Sequence, residues 1–134
     1  MLVVVGAAIV QKGRLLLVSK RAAPDVFYLP GGKLDEGEST TSALVRELRE
    51  ELGIVPRSLS PFAEVRELAA LELVPMQMTV FLVGIDGVPR ARSEIVDLAW
   101  FDPVERFRGR IAPAVEKHVV PQLQQRGLLA VTGR

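Results

Sequence analysis

The chain has 134 residues, 49% apolar and 25% charged, which is ordinary for a globular protein and enough for one domain with a substantial core. A net charge of +1 sets up no broad basic field for a nucleic-acid polymer, so any phosphate site must be local. The absence of cysteine excludes disulfides, thiolate metal sites and a cysteine nucleophile, and no apolar run approaches the ~18 residues of a membrane span.

The opening MLVVVGAAIV carries no positive leader and reads as a buried strand rather than a secretion signal, so a soluble cytoplasmic protein is the default expectation. Residues 3–10 and 14–19 form two strands joined by the turn Gln11-Lys12-Gly13. Ala22-Ala23-Pro24-Asp25 breaks the pattern, and residues 27–32 give a short extended piece entering a glycine loop. Ser39, Thr40 and Thr41 supply hydroxyls to cap a helix that runs to about Leu52 and stops at Gly53 in the left-handed conformation. Residues 62–73 are a candidate strand, 76–85 a stronger one, and 95–101 the last. A short helix is expected at 103–107. A second helix spans 114–126, interrupted or kinked at Pro121 and ended by Gly127. Strands mixed with two main helices indicate an α/β protein with helices outside a sheet.

The first helix carries the chemistry. Helical neighbours lie three and four residues apart, which brings Glu47, Glu50 and Glu51 onto one arc roughly 100° wide. Leu44, Val45, Leu48 and Leu52 fall on a different arc, so an apolar face is separate from an acidic one. Three like charges this close repel unless something positive sits among them, and carboxylate oxygens suit Mg²⁺ or Mn²⁺. The bland reading of such a run is a solvated charged face. It explains neither the surrounding glycines nor the distant Glu38.

The spacing resembles the signature of the Nudix hydrolases: Gly, five residues, Glu, seven residues, Arg-Glu, an aliphatic, any residue, Glu-Glu, any residue, Gly, an aliphatic. Gly32, Glu38, Arg46, Glu47, Leu48, Glu50, Glu51, Gly53 and Ile54 all match. A chance match somewhere in such a chain is on the order of 10⁻⁷ at ordinary residue frequencies. The motif occupies residues 32–54 of a single domain expected over 1–134. The resemblance implies an α/β/α sandwich around a mixed, curved sheet. It also implies hydrolysis of a phosphoanhydride with Mg²⁺, Mn²⁺ being a substitute, and with Glu47, Glu50, Glu51 and the Gly31 carbonyl as ligands. Such a cation neutralises the diphosphate and acidifies water.

Other roles follow as expectations. Arg46 pairs with a glutamate, Glu38 or Glu50, and orients it for catalysis. Glu38 and Gly32 support the ligands, a glycine pair letting backbone approach an ion closely. Lys33 touches a phosphate, and Tyr28 contributes to the substrate pocket. Of Trp100, Phe101, Phe27, Tyr28 and Phe81, one or two line that pocket and the rest are core, as are Met76 and Met78. The general base lies within the motif or is Glu94, with Glu64, Glu67 and Glu72 weaker candidates. His118, the one histidine, is a surface residue.

The subfamily marks are thin. ADP-ribose pyrophosphatases of the well-marked type carry a proline about 16 residues after the motif, where this chain has Ala70. Diadenosine polyphosphate hydrolases carry a tyrosine slightly further on, where Leu71-Glu72-Leu73 stands. The compact length and Leu29-Pro30-Gly31-Gly32-Lys33 look most like the MutT-type nucleoside triphosphate pyrophosphohydrolases, which release a nucleoside monophosphate and pyrophosphate. An ADP-ribose or nucleotide-sugar pyrophosphatase is the alternative. Isopentenyl diphosphate isomerases share the fold but need a cysteine. Non-catalytic Nudix-like regulatory domains usually lose the acidic positions retained here. The expected partner is a nucleotide, with no nucleic-acid polymer and no membrane. A homodimer is compatible with this size, and no interface is legible.

Overall fold

The computed structural model describes residues 1–131. Among these, the elements run β1 (Leu2–Ala8), β2 (Val10–Gln11), β3 (Arg14–Lys20), β4 (Ala23–Tyr28), β5 (Gly31–Lys33), α1 (Thr40–Leu52), β6 (Pro56–Leu68), β7 (Pro75–Ile85), β8 (Ile95–Phe101), β9 (Arg110–Ile111), a π-helical turn (Val115–Val119) and α2 (Val120–Gln125). No described helix is long and apolar enough to cross a membrane.

Two mixed sheets result. One has the order β5-β1-β7-β6, with β1 parallel to β7 and antiparallel to β5. In the other, β3 pairs antiparallel with β2, β4 and β8, and β4 pairs in parallel with β9. Side-chain alternation divides the interior between two helical layers. Leu16 and Val18 of β3 join Val5, Ala7, Phe81, Val83 and the α1 residues Ala43, Leu44, Leu48 and Leu52. Leu15 and Leu17 join Val80, Met78 and the C-terminal residues Val115, Val119 and Leu123. This is the expected α/β/α arrangement. Leu44, Leu48 and Leu52 are fully buried, each stabilising the fold by about 1.5–3 kcal/mol.

Several expected boundaries move. The segment 3–10 is two strands, not one. The Ile9 carbonyl accepts the Leu16 N–H at 2.9 Å, and only Val10–Gln11 forms the hairpin with β3, while β1 crosses into the other sheet. The break expected at residues 22–25 is confined to the turn at Arg21 and Ala22, and the strand resumes at Ala23. β4 includes Pro24, because its ladder to β3 is irregular there and β9 pairs only Val26 and Phe27, so no donor is required of the proline. The candidate strand at 62–73 instead spans Pro56–Leu68. Its partner β7 fixes the register Leu68↔Pro75, and the chain turns where Ala69 N–H meets the Val74 carbonyl at 2.9 Å. The helix expected at 103–107 is a turn, closed by Asp102 accepting from Val104 N–H and Glu105 N–H. Phe107 then packs edge-on against Phe27 and Phe101. The last strand is β9, not β8. At the C-terminal helix the interruption is real: five residues of π-helix precede Pro121, which lies in the first turn of α2, where a missing N–H is tolerated.

Candidate active site

Local chemistry places α1 as expected. Ser39 caps it by accepting from Ser42 N–H at 3.1 Å. Gly53 adopts φ 68° and donates to Arg49, while Ile54 N–H reaches back to Leu48, which closes the helix. The loop before it is held against the sheet by the pairs Gly6↔Gly31, Val5↔Gly32 and Val4↔Lys33. An added side chain would meet a neighbour at two of these positions. Gly31 has φ 145°, and a Cβ there would strike the Val5 carbonyl; a Cβ on Gly32 would strike the Glu47 carboxylate.

The three glutamates of α1 do not share one environment. Glu51 is only 2% exposed, and its Oε1 accepts the Gly31 N–H at 3.0 Å. Its Oε2 is buried with no partner among the described residues. Burial pushes its carboxyl up to about 8; the Gly31 N–H opposes this and repulsion from Glu47 adds to it. Glu47 is also raised, by burial first, against the pull of Arg46. The Glu50 side chain is 53% exposed. The acidic arc therefore runs from solvent into the interior, and Glu51 belongs to the buried face beside Leu48 and Leu52. Val45 is only half-buried, and Ala43 takes its place in the apolar stripe.

Arg46 organises the rim. Its Nε and Nη2 donate to the two oxygens of Glu38 at 2.7 and 2.8 Å, a two-pronged pairing that matches guanidinium to carboxylate. Nη1 reaches Glu47 at 3.2 Å and Glu50 at 3.4 Å, and Nη2 holds the Lys33 carbonyl at 3.1 Å. Of the two expected alternatives, Glu38 or Glu50, Arg46 reaches both, Glu38 at much shorter range. Glu38 also accepts the Asp35 N–H, and chiefly through Arg46 its carboxyl drops to about 2.

With Glu47 and Glu50 leaning on Arg46 and Glu51 on Gly31, no three acidic or histidine side chains among the described residues converge on a common point. The donor set nonetheless fits a hard divalent cation. It is made of oxygens, it is strongly acidic, and it includes a buried carboxylate oxygen that no protein donor satisfies.

Beside these residues opens a cleft continuous with solvent. Gly31, Gly32, Lys33, Tyr28 and Lys20 line its polar end, and Val4, Leu68, Met76 and Met78 its apolar wall. Lys33 and Tyr28 thus reach the cleft together. The Tyr28 hydroxyl is buried without a partner among the described residues and is raised to about 12, by burial first and then by Glu72, Glu94 and Glu51. Of the five aromatics considered from sequence, only Tyr28 lines this cleft. Met78 is core, as expected, but also forms the cleft wall with Met76.

Among the candidate bases, Glu64 accepts from Thr79 and Gln77, and Glu67 is tied to Leu68 N–H and His118, leaving neither in the cleft. Glu72 lines the cleft. Glu94 precedes β8 and does not itself line the cleft; its side chain is 54% exposed and paired at 3.5 Å with Lys20, which does. His118 is partly exposed, pairs with Glu67 at 3.3 Å and does not line the cleft. Lys20 was missed from sequence. Its signal lay in the pairing of β3 with β8, which sets Lys20 against Ile95, one residue from Glu94.

The family model described as the NUDIX domain matches residues 2–123. A Mycobacterium tuberculosis protein named "Putative 8-oxo-dGTP diphosphatase 2" is 36% identical over 107 residues, covering 77% of this chain and 74% of the relative. The CTP pyrophosphohydrolase of Escherichia coli is 47% identical over 57 residues, 40% of this chain and 42% of the relative. The solution structure of the E. coli ORF135 protein aligns with TM-score 0.74 at 28% identity, covering 98% of this chain and 95% of that one. Motif, layering and site geometry agree with these matches: the chain belongs to the Nudix hydrolase family.

Proposed function

We propose that this enzyme hydrolyses a nucleoside triphosphate to a nucleoside monophosphate and pyrophosphate, using Mg²⁺ with Mn²⁺ as a substitute. The observation that carries the reading is Glu51. A carboxyl buried in an apolar layer, with one oxygen on the Gly31 N–H and the other unpartnered, is costly unless a cation answers it. Glu47, Glu50, Glu51 and the Gly31 carbonyl would hold that cation. When bound it neutralises phosphate charge and makes water more acidic.

The remaining work falls to this chain's own groups. Arg46 keeps Glu47 and Glu50 oriented while anchoring Glu38 and the Lys33 carbonyl. Gly32 leaves room for the Glu47 carboxylate. Lys33 faces the substrate's phosphates at the polar end of the cleft, and Tyr28 with Met76 and Met78 receives the nucleoside. Glu94 serves as the base. The water oxygen bonds to phosphorus, the bridging P–O bond breaks with its electron pair leaving on the departing phosphate fragment, and the water proton passes to the Glu94 carboxylate.

A panel of CTP, dGTP, 8-oxo-dGTP, ADP-ribose and a nucleotide sugar, resolved by product chromatography, tests the reading. Monophosphate plus pyrophosphate from a triphosphate supports it. Turnover of ADP-ribose or the nucleotide sugar alone would replace the substrate class. A nucleotide that binds without any product would point to a binding domain.

A further inference from the structure

We propose that Lys20 is a second phosphate-binding cation of the cleft, beside Lys33, and that it holds Glu94 in reserve, releasing that carboxylate when an anionic substrate arrives. The inference rests on the hydrolase reading for the use made of Glu94, but not for the phosphate site itself.

Lys20 ends β3 at the polar end of the cleft, beside Gly31, Gly32 and Lys33. Its ammonium sits 5.4 Å from the centre of the Tyr28 ring and 3.5 Å from the Glu94 carboxylate. Its charge is also felt by both Glu47 and Glu51. The backbone keeps these groups together. Arg21 N–H donates to the Glu94 carbonyl at 3.0 Å, and Lys20 is in register with Ile95. The side chain remains 30% exposed, so it is fixed in place yet reachable from the cleft.

The pair with Glu94 is loose. At 3.5 Å it is longer than a good charge-assisted hydrogen bond, and Glu94 is more than half exposed. Such pairs contribute little to stability and exchange easily. A lysine ammonium has three donors and no fixed plane, so it can turn toward a phosphate group without rearranging its stem. A polyphosphate carries more than one negative charge and outcompetes a single solvated carboxylate for the same cation. Transfer of Lys20, which lines the cleft, to the phosphate frees the adjoining Glu94 carboxylate of its counter-charge. The freed carboxylate can then turn to the attacking water, which the ion pair prevents until substrate arrives.

Inorganic tripolyphosphate, titrated calorimetrically in Mg²⁺ buffer, probes the phosphate site; turnover of CTP and 8-oxo-dGTP is measured alongside. Lys20→Met should weaken tripolyphosphate about tenfold or more and raise KM more than it lowers kcat, while Lys20→Arg stays within about threefold of wild type. Glu94→Gln should lower kcat by about a hundredfold yet bind tripolyphosphate about twofold more tightly. That tightening should vanish in the Lys20→Met background. Thermal melts check folding, and Lys20→Gln replaces the methionine variant if that does not fold. Tripolyphosphate affinity in Lys20→Met equal to wild type would overturn the proposal, as would a Glu94→Gln tightening undiminished by that change. If no nucleotide turns over while the binding effects hold, the phosphate site stands and the hydrolase reading and the role of Glu94 fall.

Discussion

Glu51→Gln exchanges a buried carboxyl for a neutral amide that still presents an oxygen to the Gly31 N–H. In wild type the folded-state carboxyl lies at about 8, against an ordinary 4.5. The folded state therefore holds a proton that the unfolded chain gives up. Stability from this group is fully present below pH 4.5 and is lost as pH rises toward 8. Integrated between pH 6 and pH 8.5, the loss is roughly 2–3 kcal/mol in chelating buffer. Urea unfolding in EDTA at those two pH values is the assay. Wild type should lose that increment, while Glu51→Gln should lose little and be the more stable protein at pH 8.5. Mg²⁺ should restore wild type at pH 8.5 and leave the variant unchanged, because a ligand of the folded state stabilises only where it binds. Parallel pH dependences for the two proteins would show that the Glu51 carboxyl is not held protonated by its burial.

The two glycines should separate fold from function. Gly31→Ala forces a side chain onto φ 145° against the Val5 carbonyl and should cost about 2–4 kcal/mol in urea unfolding. Gly32→Ala displaces only the mobile end of Glu47, so its stability should change by less than about 1 kcal/mol while kcat/KM falls at least tenfold. Arg46→Ala should remove the main cause of the low Glu38 carboxyl. Because that carboxyl is depressed to about 2, its contribution is present above 4.5 and lost as pH falls toward 2. Thermal midpoints at pH 6 and pH 3 should therefore differ less in Arg46→Ala than in wild type. Turnover should drop at least tenfold at neutral pH as Glu47 and Glu50 lose their support.

The candidate site's cluster of side chains was legible in sequence because its parts are local. One helix carries Arg46, Glu47, Glu50 and Glu51, and helical spacing alone gathers them. Ser39 and Gly53 announce the helix ends through their own side chain and backbone. The same spacing misjudged Glu51. A helical wheel shows which residues share an arc but not where the sheet lies, and the Gly31 loop covers the side of the arc that Glu51 occupies. The crossing of β1 between sheets was hidden for a similar reason. Residues 3–10 form one continuous apolar run, and the partner that pulls β1 away, β7, lies far along the chain. Pro24 read as a breaker because proline lacks a donor, and only the irregular pairing of β4 shows that none is needed. Lys20 depends on the alignment of two distant strands, so a linear reading gave it no more weight than any strand-end lysine.

The most direct test is the Mg²⁺ dependence of CTP and 8-oxo-dGTP hydrolysis in wild type, Glu50→Gln and Glu51→Gln, with chelated controls. Metal-dependent release of monophosphate and pyrophosphate by wild type, reduced at least a hundredfold in both variants, is the expected result. Wild-type turnover that persists in chelator, or that survives Glu51→Gln intact, would contradict the assignment of this buried carboxylate to the cation.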